Sequence, residues 1–173
     1  SLISVSNYKC RVLENQFEGM LLSINKVDVW VKLIGDFNAY NILSVYAVAD
    51  QFAFEDYEVL TALSMLTSPE GRFQYLQSEE KITAIVDYAH TDDALHNVIK
   101  AAKAFTPGRV ITVFGCGGDR DKGKRKDMGR VAIEESDFSV ITSDNPRTEN
   151  PQCILDDILA GVPSSVCLGK DYE

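Results

Sequence analysis

Val27, Val29, Val31 and Leu33 alternate with Asp28, Trp30 and Lys32. That two-residue period predicts a half-buried strand. Asn25-Lys26 reads as a tight turn back to a partner over Gly19–Ile24, so the first third is expected to be antiparallel β. The period then changes. Ile42, Val45, Tyr46 and Ala49 fall at i, i+3, i+4 and i+7, which predicts a helix over 37–49 with Asp36 as its cap. Asn38 and Asn41 are i, i+3 neighbours near its start, an unusual place for a poor helix former. A second helix is expected over 55–66. Thr67-Ser68-Pro69-Glu70-Gly71 breaks both helix and strand and is the best linker in the chain.

Beyond it, apolar runs at 81–86, 110–114, 138–142 and 165–168 read as strands, with helices between them. Thr91 caps a helix whose apolar face is Leu95, Val98, Ile99, Ala102 and Phe105. Asp92 and Asp93 suit its positive N-terminal end, and Pro107-Gly108 stops it. Asn150 with Pro151 opens another, which buries Ile154, Leu155, Ile158 and Leu159 and ends at Gly161. Strands alternating with helices predict βαβ units and a parallel sheet, an α/β fold.

Composition narrows this pattern. The 173 residues, 45% hydrophobic and 25% charged, are ordinary for a globular protein and allow one medium domain. The net charge of −9 argues against a nucleic-acid partner or a basic membrane-docking face. The exception is the stretch from Asp119 to Arg130, which is +3 within a chain that is otherwise −12. A cationic loop on an acidic body suits a small anionic ligand. Neither a membrane span nor a signal peptide is expected. Cys10, Cys116, Cys153 and Cys167 lie far apart, as reduced thiols do. With no initiator methionine at Ser1 and no terminal element at Glu173, both ends are expected to be cut.

Three polar clusters follow directly on predicted strands: Asp87-Tyr88-Ala89-His90-Thr91, Gly115-Cys116-Gly117-Gly118 with the basic stretch, and Ser143-Asp144-Asn145-Pro146-Arg147. Ligands of open parallel sheets bind at such strand ends. Gly118-x-x-x-x-Gly123-Lys124 nearly matches a phosphate loop, but Arg125 stands where a Ser or Thr hydroxyl should hold magnesium. A basic loop that orders on an anionic ligand is the favoured reading. His90 fits a site and a simple turn equally well, and His96, inside a helix, is given no role. Asp144, Asn145 and Arg147 offer acid, amide and guanidinium for the ammonium and carboxylate of an amino acid.

These stretches resemble the Mur ligases. The resemblance rests on Val86 to Thr91, on the thirteen residues from Val113 to Arg125, and on Asp144-Asn145-Pro146-Arg147. Gly35-Asp36-Phe37-Asn38-Ala39-Tyr40-Asn41 also fits the family's G-x-F-N-x-x-N helix start, and Gly71-Arg72 its G-R step. Within the family the chain is most similar to members that add meso-2,6-diaminopimelate to the D-glutamate of UDP-N-acetylmuramoyl-L-alanyl-D-glutamate. The resemblance implies an ADP-forming, ATP-dependent ligase of peptidoglycan precursor synthesis, working through an acyl phosphate with ATP and Mg2+. It implies a monomer in the bacterial cytoplasm. It also replaces the single domain by two incomplete ones. Residues 1–68 would end the central ATP-binding domain. Residues 69–173 would form most of a C-terminal Rossmann-like domain with a mostly parallel sheet.

By motif match, Asn38, Asn41, Arg72, Asp87 and His90 would contact ATP. Arg120, Asp144, Asn145 and Arg147 would hold diaminopimelate. Arg147 suits the second carboxylate that lysine lacks, and a buried guanidinium left unpaired would cost about 3–5 kcal/mol. The family's Pro after D-Y-A-H-T is Asp92 here, and Phe73-Gln74 replaces Met-Glu after the G-R step. No catalytic residue is assigned within this chain. The family's phosphate loop and carbamylated lysine would lie upstream, and its G-K-G-H-E segment downstream. The alternatives are a lysine-adding or other Mur-type ligase, and a standalone binding module for a small zwitterion.

Overall fold

The structure is a computed structural model that describes residues 2–80, 82–166 and 169. Its chain divides into two compact units, Ser1–Tyr88 and a second from Ala89 onward.

The first unit opens with a four-stranded antiparallel meander. It comprises β1 (Leu2–Val5), β2 (Tyr8–Gln16), β3 (Gly19–Ile24) and β4 (Val27–Val31), paired in chain order. The expected turn is present: Asn25 and Lys26 both take left-handed φ, at 49° and 65°. These conformations let a two-residue loop follow the twist of its strands. Met20, Leu22 and Ile24 point inward from β3 at every second position. They meet Ala39, Ile42, Leu43 and Tyr46 of α1 (Asp36–Gln51) and Leu60 and Leu63 of α2 (Asp56–Met65). Tyr46 ties the parts together, donating to Asp56 Oδ1 at 2.7 Å and accepting from the Asn25 amide.

Two expectations change here. Asp36 is the first helical residue and not the cap. Gly35 takes the cap position at φ 90° and has no side chain to bond the amides of the first turn, while its own amide donates to Asn15 Oδ1 at 3.5 Å. The buried face of α1 is also rotated: Leu43 and Ala47 are inside and Val45 is exposed, because the helix lies against both the meander and α2.

A hairpin of β5 (Gln74–Gln77) and β6 (Thr83–Val86) belongs to the same unit. Phe73 packs edge-on against Phe37 at 5.9 Å, and Tyr75 lies 5.7 Å from Phe17. The strand expected over 81–86 therefore pairs antiparallel, with β5. The short link between the two leaves no room for a parallel crossover. Lys81 lies outside the described residues.

The second unit alternates as expected. It contains α3 (Asp92–Phe105), β7 (Ile111–Phe114), α4 (Gly123–Glu135), β8 (Phe138–Ile141) and α5 (Pro151–Leu159), with β7 and β8 parallel. Thr91 accepts from Ala94 N at 3.2 Å and Asn150 from Gln152 N at 2.9 Å, so both predicted caps form. Leu95, Ile99, Met128, Val131, Ala132, Ile154 and Ile158 make the core beneath one face of the ladder. Most of the basic stretch is not a loop, since α4 begins at Gly123. Of the strand expected over 165–168, Ser165 and Val166 lie in a turn, and Cys167 and Leu168 fall outside the described residues.

Candidate functional site

The expected site residues fall into two groups, each within one unit. In the first unit, Asn38 near the start of α1 donates to Ile34 O at 2.8 Å, and Asn41 donates to Asn38 Oδ1 at 3.2 Å. The asparagine pair is thus fixed as one unit on the first turns of the helix. The Phe37–Phe73 contact brings that helix start to the segment before β5. There Phe73 N donates to Asp87 Oδ2 at 2.8 Å, and the Arg72 guanidinium lies 5.0 Å from the centre of the Tyr88 ring. Phe73 takes a left-handed φ of 46°, a position glycine would favour, and Gly71 precedes it at 69°. This double left-handed step turns the chain so that Arg72 meets Tyr88 while Phe73 is buried. The sequence pattern gives no role to Tyr88 or to the phenylalanine pair.

His90 falls in the second unit. Its carbonyl oxygen accepts from Lys124 Nζ at 2.6 Å, joining the strand-end motif to the start of α4. The loop after β7 lies against the loop after β8. Gly118 N donates to Asn145 O at 2.8 Å, and Arg147 Nη1 donates to Gly118 O at 2.7 Å. Asp119 holds Thr148 through both its carboxylate oxygens, at 2.7 Å to the hydroxyl and 3.2 Å to the amide. Asp119 and Arg147 themselves adopt left-handed φ of 53° and 49°.

Glycines permit this closeness. A side chain on Gly118 would begin 1.9 Å from Pro146 O. One on Gly117 would begin 2.8 Å from Arg147 Nη1 and 3.8 Å from Asp144 Oδ2. A carboxylate and a guanidinium therefore both approach one bare stretch of backbone, on the face that a Gly117 side chain would fill. That is an acceptor for an ammonium beside a donor for a carboxylate, the pair of contacts a zwitterion needs. Arg120, Asp144, Asn145 and Arg147 are all exposed beside this stretch. Arg147 is not buried, so the penalty for leaving it unpaired falls toward the small values of solvated ion pairs, about 0–1 kcal/mol.

Hydrogen bonding weighs against the phosphate-loop alternative. Three of the amides such a loop would offer are already engaged, Gly118 N by Asn145 O, Asp119 N by Glu149 Oε1 at 2.6 Å, and Gly123 N by Asp121 Oδ1 at 2.8 Å.

Beneath these loops lies a group to which the motif match gives no site role. Arg125, on the first turns of α4, is completely buried. Its Nη1 donates to Glu149 Oε2 at 3.0 Å and Asp157 Oδ2 at 2.8 Å, and its Nη2 to Glu149 Oε1 at 2.8 Å and Gly117 O at 3.3 Å. Lys122 Nζ adds a third contact to Glu149 at 3.0 Å. The guanidinium bond, then the Asp119 amide and Lys122, hold the Glu149 carboxyl down to about 2. Arg125 is in turn held firmly in its charged form, chiefly by Glu149. One signal is present in the sequence: Arg125, Met128, Gly129 and Ala132 share the i, i+3, i+4, i+7 stripe of the buried face.

The family model described as "Mur ligase, glutamate ligase domain" matches residues 71–172. The UDP-N-acetylmuramoyl-L-alanyl-D-glutamate–2,6-diaminopimelate ligase of Phocaeicola vulgatus is 54% identical over 164 residues, 94% of this chain and 34% of that protein. The ligase of the same name from Thermosynechococcus vestitus is 49% identical over 138 residues, 79% of this chain and 28% of that protein. The chain thus spans about a third of the length of the Phocaeicola relative. Among solved structures, a ligase of that name superposes with a TM-score of 0.55 at 34% identity, covering 92% of this chain and 33% of the other. Mycobacterium tuberculosis folylpolyglutamate synthase, solved with ADP and AMPPCP, shares the fold at a TM-score of 0.68 and 21% identity, over 88% of this chain and 36% of its own. The family model covers more than half of the residues, including both loops that meet at Gly117 and Gly118, and the chain belongs to the Mur ligase family.

Proposed function

We propose that this chain carries the amino-acid-selecting part, and a share of the nucleotide site, of an ATP-dependent ligase. That ligase joins meso-2,6-diaminopimelate to the D-glutamate of UDP-N-acetylmuramoyl-L-alanyl-D-glutamate in peptidoglycan precursor synthesis. The observation that carries the reading is that Asp144 Oδ2 and Arg147 Nη1 converge on the same side of Gly117, where a side chain would otherwise stand. Relatives named for this reaction support the choice of amino acid.

In this reading ATP converts the glutamate carboxylate to an acyl phosphate, and the amine of diaminopimelate displaces phosphate from it. The chain's own contribution is positioning. Asp144 accepts from an ammonium. Arg147 and Arg120 donate to carboxylates, and Asn145 Oδ1 steadies the Arg147 amide at 3.2 Å. In the first unit, Asn38 and Asn41 face the adenine, Arg72 the phosphates and Asp87 the ribose. Among the described residues no group of three or more His, Cys, Asp or Glu is placed to hold a metal ion. No step is routed through the Mg2+ that accompanies ATP. We assign 1–68 to the end of the ATP-binding domain and 69–173 to the amino-acid-binding domain of a cytoplasmic monomer.

The test is phosphate release by the complete ligase with diaminopimelate or lysine as acceptor. More release with diaminopimelate than with lysine is expected; the reverse overturns the choice of amino acid. Arg147→Ala should raise the diaminopimelate KM about tenfold or more, the loss of one charged contact of about 1.5–3 kcal/mol.

A further inference from the structure

Arg125 and Glu149 have no part in the chemistry described so far, and their burial needs a reason. Removing a guanidinium and its partners from water is costly, and well-packed apolar residues would often serve stability as well. What the pair does differently is connect. Glu149 sits two residues after Arg147 and is held by Arg125, by Lys122 and by the Asp119 amide, all from the segment after β7. Asp119 returns the grip through Thr148. Immediately before these anchors the chain carries Arg147 at a left-handed φ with its guanidinium against Gly118 O. A left-handed arginine is unfavourable and persists only where its surroundings fix it.

We propose that Arg125 and Glu149 are positioning residues for the amino-acid site: their buried ion pair locks the loop after β8 onto the loop after β7 and so sets the pose of Arg147. The proposal rests on the reading that Arg147 binds the amino acid. Asp157 provides the control. It shares Arg125 Nη1, but it approaches from α5 and bonds neither loop. If the buried charge served stability alone, loss of Glu149 or Asp157 would lower the melting temperature and leave the site alike. If it positions Arg147, only loss of Glu149 disturbs the site.

Two measurements decide this. In the ligand-free 173-residue chain, side-chain 15Nε relaxation should show Arg147 as ordered in the parent and in Asp157→Asn, and mobile in Glu149→Gln. In the complete ligase, Glu149→Gln should raise the diaminopimelate KM about tenfold, with kcat at saturation and the ATP KM within about threefold of the parent, as expected for lost pre-organisation of one substrate contact. Asp157→Asn should leave the diaminopimelate KM within about twofold. Gly117→Ala, whose new methyl group meets the flexible end of Arg147, should raise the same KM without touching the ion pair.

An Arg147 as ordered in Glu149→Gln as in the parent overturns the proposal. So does a Glu149→Gln KM no different from that of Asp157→Asn. If the parent ligase releases no phosphate with diaminopimelate, the functional reading fails instead, and the relaxation result alone decides the positioning role.

Discussion

Glu149 makes the cost and benefit of a buried ion pair measurable. Its carboxyl titrates near about 4.3 in an unfolded chain and is held down to about 2 in the fold. The unfolded state therefore takes up the proton first as the solution is acidified. The carboxylate's contribution to stability is complete above about pH 4.5 and disappears as the pH falls toward about 2. Urea midpoints of the parent should drop between about pH 6 and pH 3 by more than those of Glu149→Gln. Equal drops would detach the ion pair from acid stability. The residues of this pair are hidden in the sequence for a physical reason. A cationic stretch normally reads as solvated, and only its phase with Met128, Gly129 and Ala132 places Arg125 inside. Asp144 and Arg147 are legible because a strand end followed by acid, amide, Pro and Arg has few structural uses.

The helices and strands are more readable than their partners. Thr91 and Asn150 cap where predicted, because a cap depends only on one side chain and the nearby amides. Thr91→Ala should lower stability by about 1 kcal/mol, read as a shift in the thermal midpoint of the second unit. The cap expected at Asp36 does not form because Gly35 turns the chain one residue earlier. The antiparallel partner of β6 escapes a sequence reading, since β5 is exposed along its whole length and carries no alternation to detect. Between α4 and α5 the contact is so close that helix preference and packing oppose each other. Ala at position 129 would favour the helix by about 1 kcal/mol over Gly. Its methyl group, however, would lie 2.3 Å from Ile158 O. Packing should win, so Gly129→Ala is expected to lower the melting temperature; a rise would show that α5 yields.

At the scale of the chain, the charge reading needs a refinement. From sequence the basic stretch is a field for an anionic ligand, yet Lys122 and Arg125 are engaged by Glu149 and Lys124 by the His90 carbonyl. Within the stretch, Arg120 and Lys126 remain exposed. The two-part organisation is legible from the change of period after Pro69. The compact units divide later, after Tyr88, because the β5–β6 hairpin stays with the first unit through its aromatic contacts. The residues after Gly123-Lys124 do not complete a phosphate-loop motif, so the 173-residue chain by itself should give no diaminopimelate-dependent release of ADP. Measurable release would relocate the nucleotide chemistry into this chain.

The left-handed backbone at Arg147 has a consequence for inheritance. Its φ of 49° suits Gly or Asn better than Arg, by roughly 1 kcal/mol. A library of variants sorted for solubility and thermal survival should therefore accumulate Gly and Asn at this position. The same library sorted for growth that depends on the ligase should keep Arg. Two selections pulling one codon in opposite directions would mark where the molecule gives up durability for work.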